Sequence, residues 1–188
     1  MKSSDVQVQL SRKTDTFVEL SERARMANAW GANYFCSIHI NAGGGDGYED
    51  YIHSTLSDTS TTAQYQKIMN EEIVKTTGFR NRGTKKANFV VLRETAMSAI
   101  LTENGFIDNT SNAQLLKDPA FIECIARGHV NGFARIFNFQ KKTPVEKDIY
   151  RIFVDNIQIQ DLSNKENILN IVSEHLGVAD LIELKKVQ

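Results

Sequence analysis

The sequence predicts an α/β protein: a mixed, mostly parallel sheet with helices on both faces, followed by a small C-terminal β-α-β unit. Three observations predict it. Short apolar runs alternate with longer amphipathic segments over the first 139 residues. The central runs, 34–40 and 99–102, are nearly continuous in apolar residues, as strands buried on both faces are. A polar stretch holding Lys141, Lys142, Pro144, Glu146, Lys147 and Asp148 separates this body from a last β-α-β pattern.

The elements follow in order. Val6, Val8 and Leu10 alternate with Gln7 and Gln9, the period of a strand. Residues 18–31 suit a helix with Leu20, Ala24, Ala27 and Trp30 on one face and Gly31 as its stop. Residues 34–40 are a strand closed by His39, and 48–52 another strand beyond a glycine loop. Residues 59–75 read as an amphipathic helix ending near Gly78. Residues 81–87 read as a basic loop, 89–92 as a strand and 99–102 as a strand that delivers Glu103. Asn109 suits the cap of a short helix, and Pro119 the first turn of a longer one reaching about residue 138. The division is 1–140, a linker at 141–148, and a unit at 149–188 with a strand at 150–154, a helix at 164–176 and a strand at 181–187. A unit that small buries too little to stand alone, so it is expected to dock or self-associate.

The chain has 188 residues and a net charge of −1, so no global field argues for nucleic acid or a membrane surface. No apolar run reaches the roughly 18–20 residues of a bilayer span. Residues 1–4 are followed by no apolar stretch of the signal-peptide kind. Cys36 and Cys124 sit in apolar surroundings and read as buried free thiols.

Chemistry concentrates at two strand ends. His39 leaves an apolar run for Asn41 and the glycines 43–45, and is either a metal ligand facing a cleft or a core histidine. Glu103 ends another apolar run, where a carboxylate needs partners or a shifted pKa. It is either a general base or a buried ion-pair partner, with Arg93 the candidate. The basic stretch with Arg82, Lys85 and Lys86 is either a solvated loop or a grip for a carboxylate-bearing substrate. The loop 43–47 lacks the spacing of a phosphate cradle and reads as a turn or room for substrate. His53 closes a strand near these residues. His129 and His175 fall on helices and are expected at surfaces.

Several segments together resemble the zinc-dependent N-acetylmuramoyl-L-alanine amidases of bacterial autolysins and phage endolysins. They are Leu10-Ser11-Arg12-Lys13-Thr14-Asp15, Ser37-Ile38-His39-Ile40-Asn41-Ala42, Asn81-Arg82-Gly83, Val91-Leu92-Arg93 and Leu101-Thr102-Glu103-Asn104-Gly105-Phe106. The resemblance extends to about Phe139. It implies a peptidoglycan hydrolase that cleaves the amide between N-acetylmuramic acid and L-alanine with a zinc-activated water. It implies His39 as a zinc ligand, Glu103 as the catalytic glutamate, and peptidoglycan as the partner. It places the action at the bacterial cell wall, from outside the cell or after release of an endolysin.

The resemblance also implies parts that this sequence does not contain. They are a first strand ending in Asp-x-Gly-His-Gly-Gly, a first helix, and a glutamate ligand on or near it. His53, Glu49 and Asp50 are the nearest substitutes, and their spacing does not recommend them. Two expectations stand side by side: an N-terminally truncated amidase whose zinc site needs the missing segment, or a non-catalytic peptidoglycan-binding remnant. Residues 149–188 look like the small cell-wall-binding modules attached to such endolysins.

Overall fold

A computed structural model of the chain describes residues 3–139 and 147–155, with side chains described from 6 to 139. Six strands form one mixed sheet in the order β1-β6-β2-β5-β3-β4. They are β1 (Ser3–Leu10), β2 (Tyr34–Asn41), β3 (Tyr48–His53), β4 (Asn81–Ala87), β5 (Ser98–Phe106) and β6 (Lys147–Asp155). The pairs β1/β6, β6/β2, β2/β5 and β3/β4 are parallel, and β3/β5 is antiparallel. The C-terminal ends of β1, β6, β2 and β5 therefore meet the N-terminal ends of β3 and β4 along one edge.

Helices cover both faces. On one side lie α2 (Thr61–Thr77) and α5 (Pro119–Phe137), enclosing Tyr34, Cys36, Tyr48, Ile52, Met69, Ile73, Ile100 and Phe133. Tyr34 is fully buried there, edge-on to Phe133 and Phe137 at 5.8 and 5.9 Å. On the other side α1 (Leu20–Trp30) and the short α3 (Val90–Arg93) pack Ala27, Val91 and Leu92 on Phe35, Ala99 and Leu101. Helix ends follow the sequence signals: Gly31 and Gly78 take left-handed C-terminal conformations, Ser60 and Asp118 cap α2 and α5, and Asn109 caps α4 (Thr110–Leu115).

Several expectations need correction. The basic loop is a strand, β4, on the sheet edge, where lysines are at home and apolar alternation is not required. Residues 89–92 are not a strand: the Phe89 carbonyl accepts the amides of Leu92 and Arg93, opening α3. A four-residue apolar run carries no periodicity to separate the two states. On α1, Ala24, Ala27 and Trp30 face inward as expected, but Leu20 is 43% exposed and Arg23 is buried in addition. His129 lies buried between α5 and the sheet, not at a surface. Cys36 is buried, whereas Cys124 is half-buried. The strand at 150–154, expected to open a separate unit, starts at Lys147 and lies in the main sheet. Residues 140–146, which hold most of the linker expected at 141–148, and everything from 156 on, His175 included, lie outside the described residues.

Candidate active site

The residues expected to carry chemistry meet at the strand-end edge. His39 of β2 is in register with Glu103 of β5, and Glu103 lies opposite Glu49 of β3. Neighbours in register share a face, so one row across three strands carries an imidazole and two carboxylates. It faces the α1–α3 side, just above Leu101 and Tyr51.

The two carboxylates have opposite surroundings. Glu49 is 3% exposed yet fully served. Its Oε1 accepts from Tyr51 OH at 2.6 Å and Asn41 Nδ2 at 2.9 Å, and its Oε2 from Arg82 Nε at 2.6 Å and Lys85 Nζ at 2.5 Å. Burial pushes its pKa up, but Lys85, Tyr51 and Arg82 outweigh burial and bring it down to about 2. Glu103 has the reverse balance. Its Oε2 is buried and has no hydrogen-bond partner among the described residues. Burial, and then the charge of Glu49, raise its pKa to about 7. A carboxyl poised there can both take and return a proton near neutral pH.

Backbone features hold this row. The ladder between β2 and β5 shifts register between His39 and Asn41. Asn104 secures the shift by donating to the His39 carbonyl at 3.0 Å and to Thr102 Oγ1 at 3.1 Å. Beneath it, His129 bonds the Ile125 carbonyl through Nδ1 at 2.8 Å and Thr102 Oγ1 through Nε2 at 3.0 Å. Burial lowers its pKa to about 4, so it sits neutral in the core. His39 Nε2 lies 2.7 Å from the fully buried Ser37 Oγ.

The loop joining β2 to β3 passes over the end of β5. Gly45 comes so close to Phe106 that a Cβ would stand 2.3 Å from the ring. Gly47 has φ +100° and leaves no room for a side chain against the Arg80 carbonyl, 2.1 Å from where a Cβ would stand. Asp108 Oδ2 fastens the loop by accepting the amides of Gly43 and Gly44 at 2.7 and 2.8 Å, which lowers its pKa. Asn112 Oδ1 accepts the amides of Gly47 and Phe106 at 3.0 and 3.1 Å. The glycines thus serve a close crossing, as a turn and not as a phosphate cradle.

His53 stands apart, bonded to Thr55 and Asn88. Arg93 pairs with Glu94 and Asn88, so it is not the partner of Glu103. Arg82 and Lys85 do bind a carboxylate, but it is Glu49 of the same chain. Sequence reasoning named Glu49 only as a substitute metal ligand that its spacing did not recommend, and missed Tyr51, Asn104, Asp108 and Asn112 as parts of the site. The one available signal was the period-two spacing of Glu49 and Tyr51 toward a shared face.

A catalytic zinc site needs three protein ligands with an open fourth position. Among the described residues no group of three or more His, Cys, Asp or Glu side chains is arranged to hold a metal ion. The described residues therefore do not make up such a site by themselves.

The profile of the family described as N-acetylmuramoyl-L-alanine amidase matches residues 1–135. The chain is 59% identical over 137 residues to the N-acetylmuramoyl-L-alanine amidase CwlM of Bacillus licheniformis, covering 73% of this chain and 53% of that protein. It is 47% identical over 143 residues to the endolysin of Bacillus phage SPP1, covering 74% and 53%. With the sporulation-specific N-acetylmuramoyl-L-alanine amidase of Bacillus subtilis (strain 168) it shares 44% over 155 residues, covering 82% and 59%. The chain thus spans a little over half the length of these curated relatives. Its fold is similar to that of N-acetylmuramoyl-L-alanine amidase from Clostridium difficile 630, with a TM-score of 0.65 and 32% identity over 68% of this chain and 70% of that one. The profile match over residues 1–135 and these relatives lead to one conclusion: the chain belongs to the N-acetylmuramoyl-L-alanine amidase family.

Proposed function

We propose that the chain carries the catalytic edge of a peptidoglycan amidase acting at the bacterial cell wall. The bond cleaved joins the lactyl carbonyl of N-acetylmuramic acid to the nitrogen of L-alanine. A water oxygen attacks that carbonyl carbon, and Glu103 takes the water's proton. As the carbon–nitrogen bond breaks, Glu103 returns the proton to the departing amine, leaving a lactyl carboxylate and a free L-alanine amino terminus. The supporting observation is the split pair of carboxylates. One is saturated and held near 2, and its neighbour is underserved and raised to about 7.

His39 is our candidate metal ligand, by family resemblance and by its register with Glu103. Zinc bound there would supply an acidified water, and its other ligands would have to come from outside the described residues. In this reading residues 1–139 and β6 form the amidase unit, and wall contact is assigned to the part of the chain beyond Asp155.

The test is incubation of the full chain and zinc with purified peptidoglycan, scoring new L-alanine amino termini chemically. Activity that falls at least ~100-fold in Glu103→Gln supports the proposal. Equal release by wild type and variant would sink the assignment of Glu103. Sedimentation with peptidoglycan without new amino termini would establish the second reading, a non-catalytic wall-binding remnant. That reading is favoured by the lack of a three-ligand group among the described residues.

A further inference from the structure

The strand order holds a feature that the catalytic reading does not use. β1 and β2 do not pair with each other, and β6 lies between them, parallel to both. Ser3 to Leu10 run in register with Lys147 to Val154, and Tyr34 to Ser37 with Ile152 to Asp155. Among the described strands, β1 pairs only with β6. Yet Val6 and Val8 are 0% and 8% exposed and belong to the main core.

The sequences of the two strands suit these places. β1 alternates apolar and polar residues, as an edge strand with one buried face does. The later run Ile149-Tyr150-Arg151-Ile152-Phe153-Val154 has a single charged residue, as a strand covered on both faces does. The chain can also make the connection to itself. Phe139 stacks on Phe137, which packs against Tyr34, the register partner of Ile152. Lys147 lies five residues before Ile152, about 17 Å down the strand. The eight peptide steps from 139 to 147 reach about 26 Å.

We propose that the space between β1 and β2 is a strand-accepting slot, and that this chain fills it in cis with its own segment 147–155. The segment is then a structural strand of the amidase body. Docking ends beside the candidate active site. Asp155 holds the register position of Ser37, whose hydroxyl meets His39. Segment 147–155 and the catalytic edge are therefore built on one continuous ladder.

A native thiol provides the test. Cys36 is buried in the core and in register with Val154. Adjacent strands stand about 4.8 Å apart, within the Cα separation a disulfide tolerates. Phe153 is in register with Phe35, which belongs to the opposite face. The full chain is prepared as Val154→Cys and, separately, Phe153→Cys, each with Cys124→Ser, and mildly oxidised. The expected result is a monomeric product of Val154→Cys with both thiols consumed and peptides 36 and 154 linked, while Phe153→Cys keeps both thiols. Amide hydrogen exchange on the unmodified chain should show residues 149–154 protected to the level of β2. Three results would overturn the proposal: linkage between two chains, equal linkage of both variants, or free exchange at 149–154 in a folded chain. Linkage between chains would assign the slot to a second copy.

Discussion

Glu49 and Glu103 differ by what surrounds them, not by what they are. Glu49 collects neutral donors on one oxygen and charged donors on the other, and Glu103 leaves one oxygen without any among the described residues. Replacing Glu49 by Gln leaves Arg82 and Lys85 without their counter-charge. Both cations are about one-third exposed, at 30% and 36%, so water recovers part of the loss. The expected cost is about 1–3 kcal/mol, read as a lower urea midpoint. The strand-end positions of His39 and Glu103 were legible in the sequence because each ends an apolar run beside a distinctive motif. Glu49 was not, because its partners lie 33 and 36 residues away on a strand that looks like a loop.

On the other face, Asp50 makes a prediction about pH. Its oxygens accept from Gln66 and Asn70, both at 2.8 Å. Burial outweighs these bonds and raises its pKa to about 7, from 3.8 for the free side chain. Between those values the folded state holds a proton that the unfolded chain has released. Stability therefore falls as pH rises through that window, by about 1.4 kcal/mol per unit for a single such group. Glu103 adds a slope of the same sign. Asp50→Asn removes one of the two, so urea denaturation at pH 5 and pH 7 should differ less in the variant than in wild type. An unchanged difference would mean that Asp50 is not protonated in the fold.

At the scale of elements, the helices and central strands were legible, since their period, caps and apolar runs are local. The edge strand β4 and the short helix α3 were not. Both are decided by neighbours: β4 by pairing with β3 and by Glu49, α3 by the cover that Val91 and Leu92 give Phe35. Helix contact follows the same logic. A Cβ on Gly128 would stand 2.7 Å from the Ile73 Cα, against backbone that cannot yield without moving α2. At Gly132 the obstacle is the Met69 sulfur at 2.5 Å, part of a flexible side chain. Gly128→Ala should cost about 1–3 kcal/mol in thermal or urea unfolding, and Gly132→Ala clearly less. Equal costs would mean that the two helices are free to separate.

For the whole molecule, connectivity through β6 makes the first and last described strands one unit. Ile152→Pro in the full chain removes a ladder donor from the middle of β6. Hydrogen exchange should then show protection lost over 6–10, while the β3–β5 ladder keeps its own. Retained protection at 6–10 would mean that β1 is held by its core side chains alone. This arrangement was not legible in the sequence, because the pattern of residues 150–154 says strand but not which sheet. It also has a mechanical meaning. Tension applied to the chain beyond Asp155 runs along β6, parallel to β1 and β2, and loads both ladders in shear. Their hydrogen bonds must then yield together and not one by one. A pull transmitted from the C-terminal tail would reach the strand beside Ser37 and His39 as a load the sheet resists, so that the candidate site is anchored along the direction of the pull.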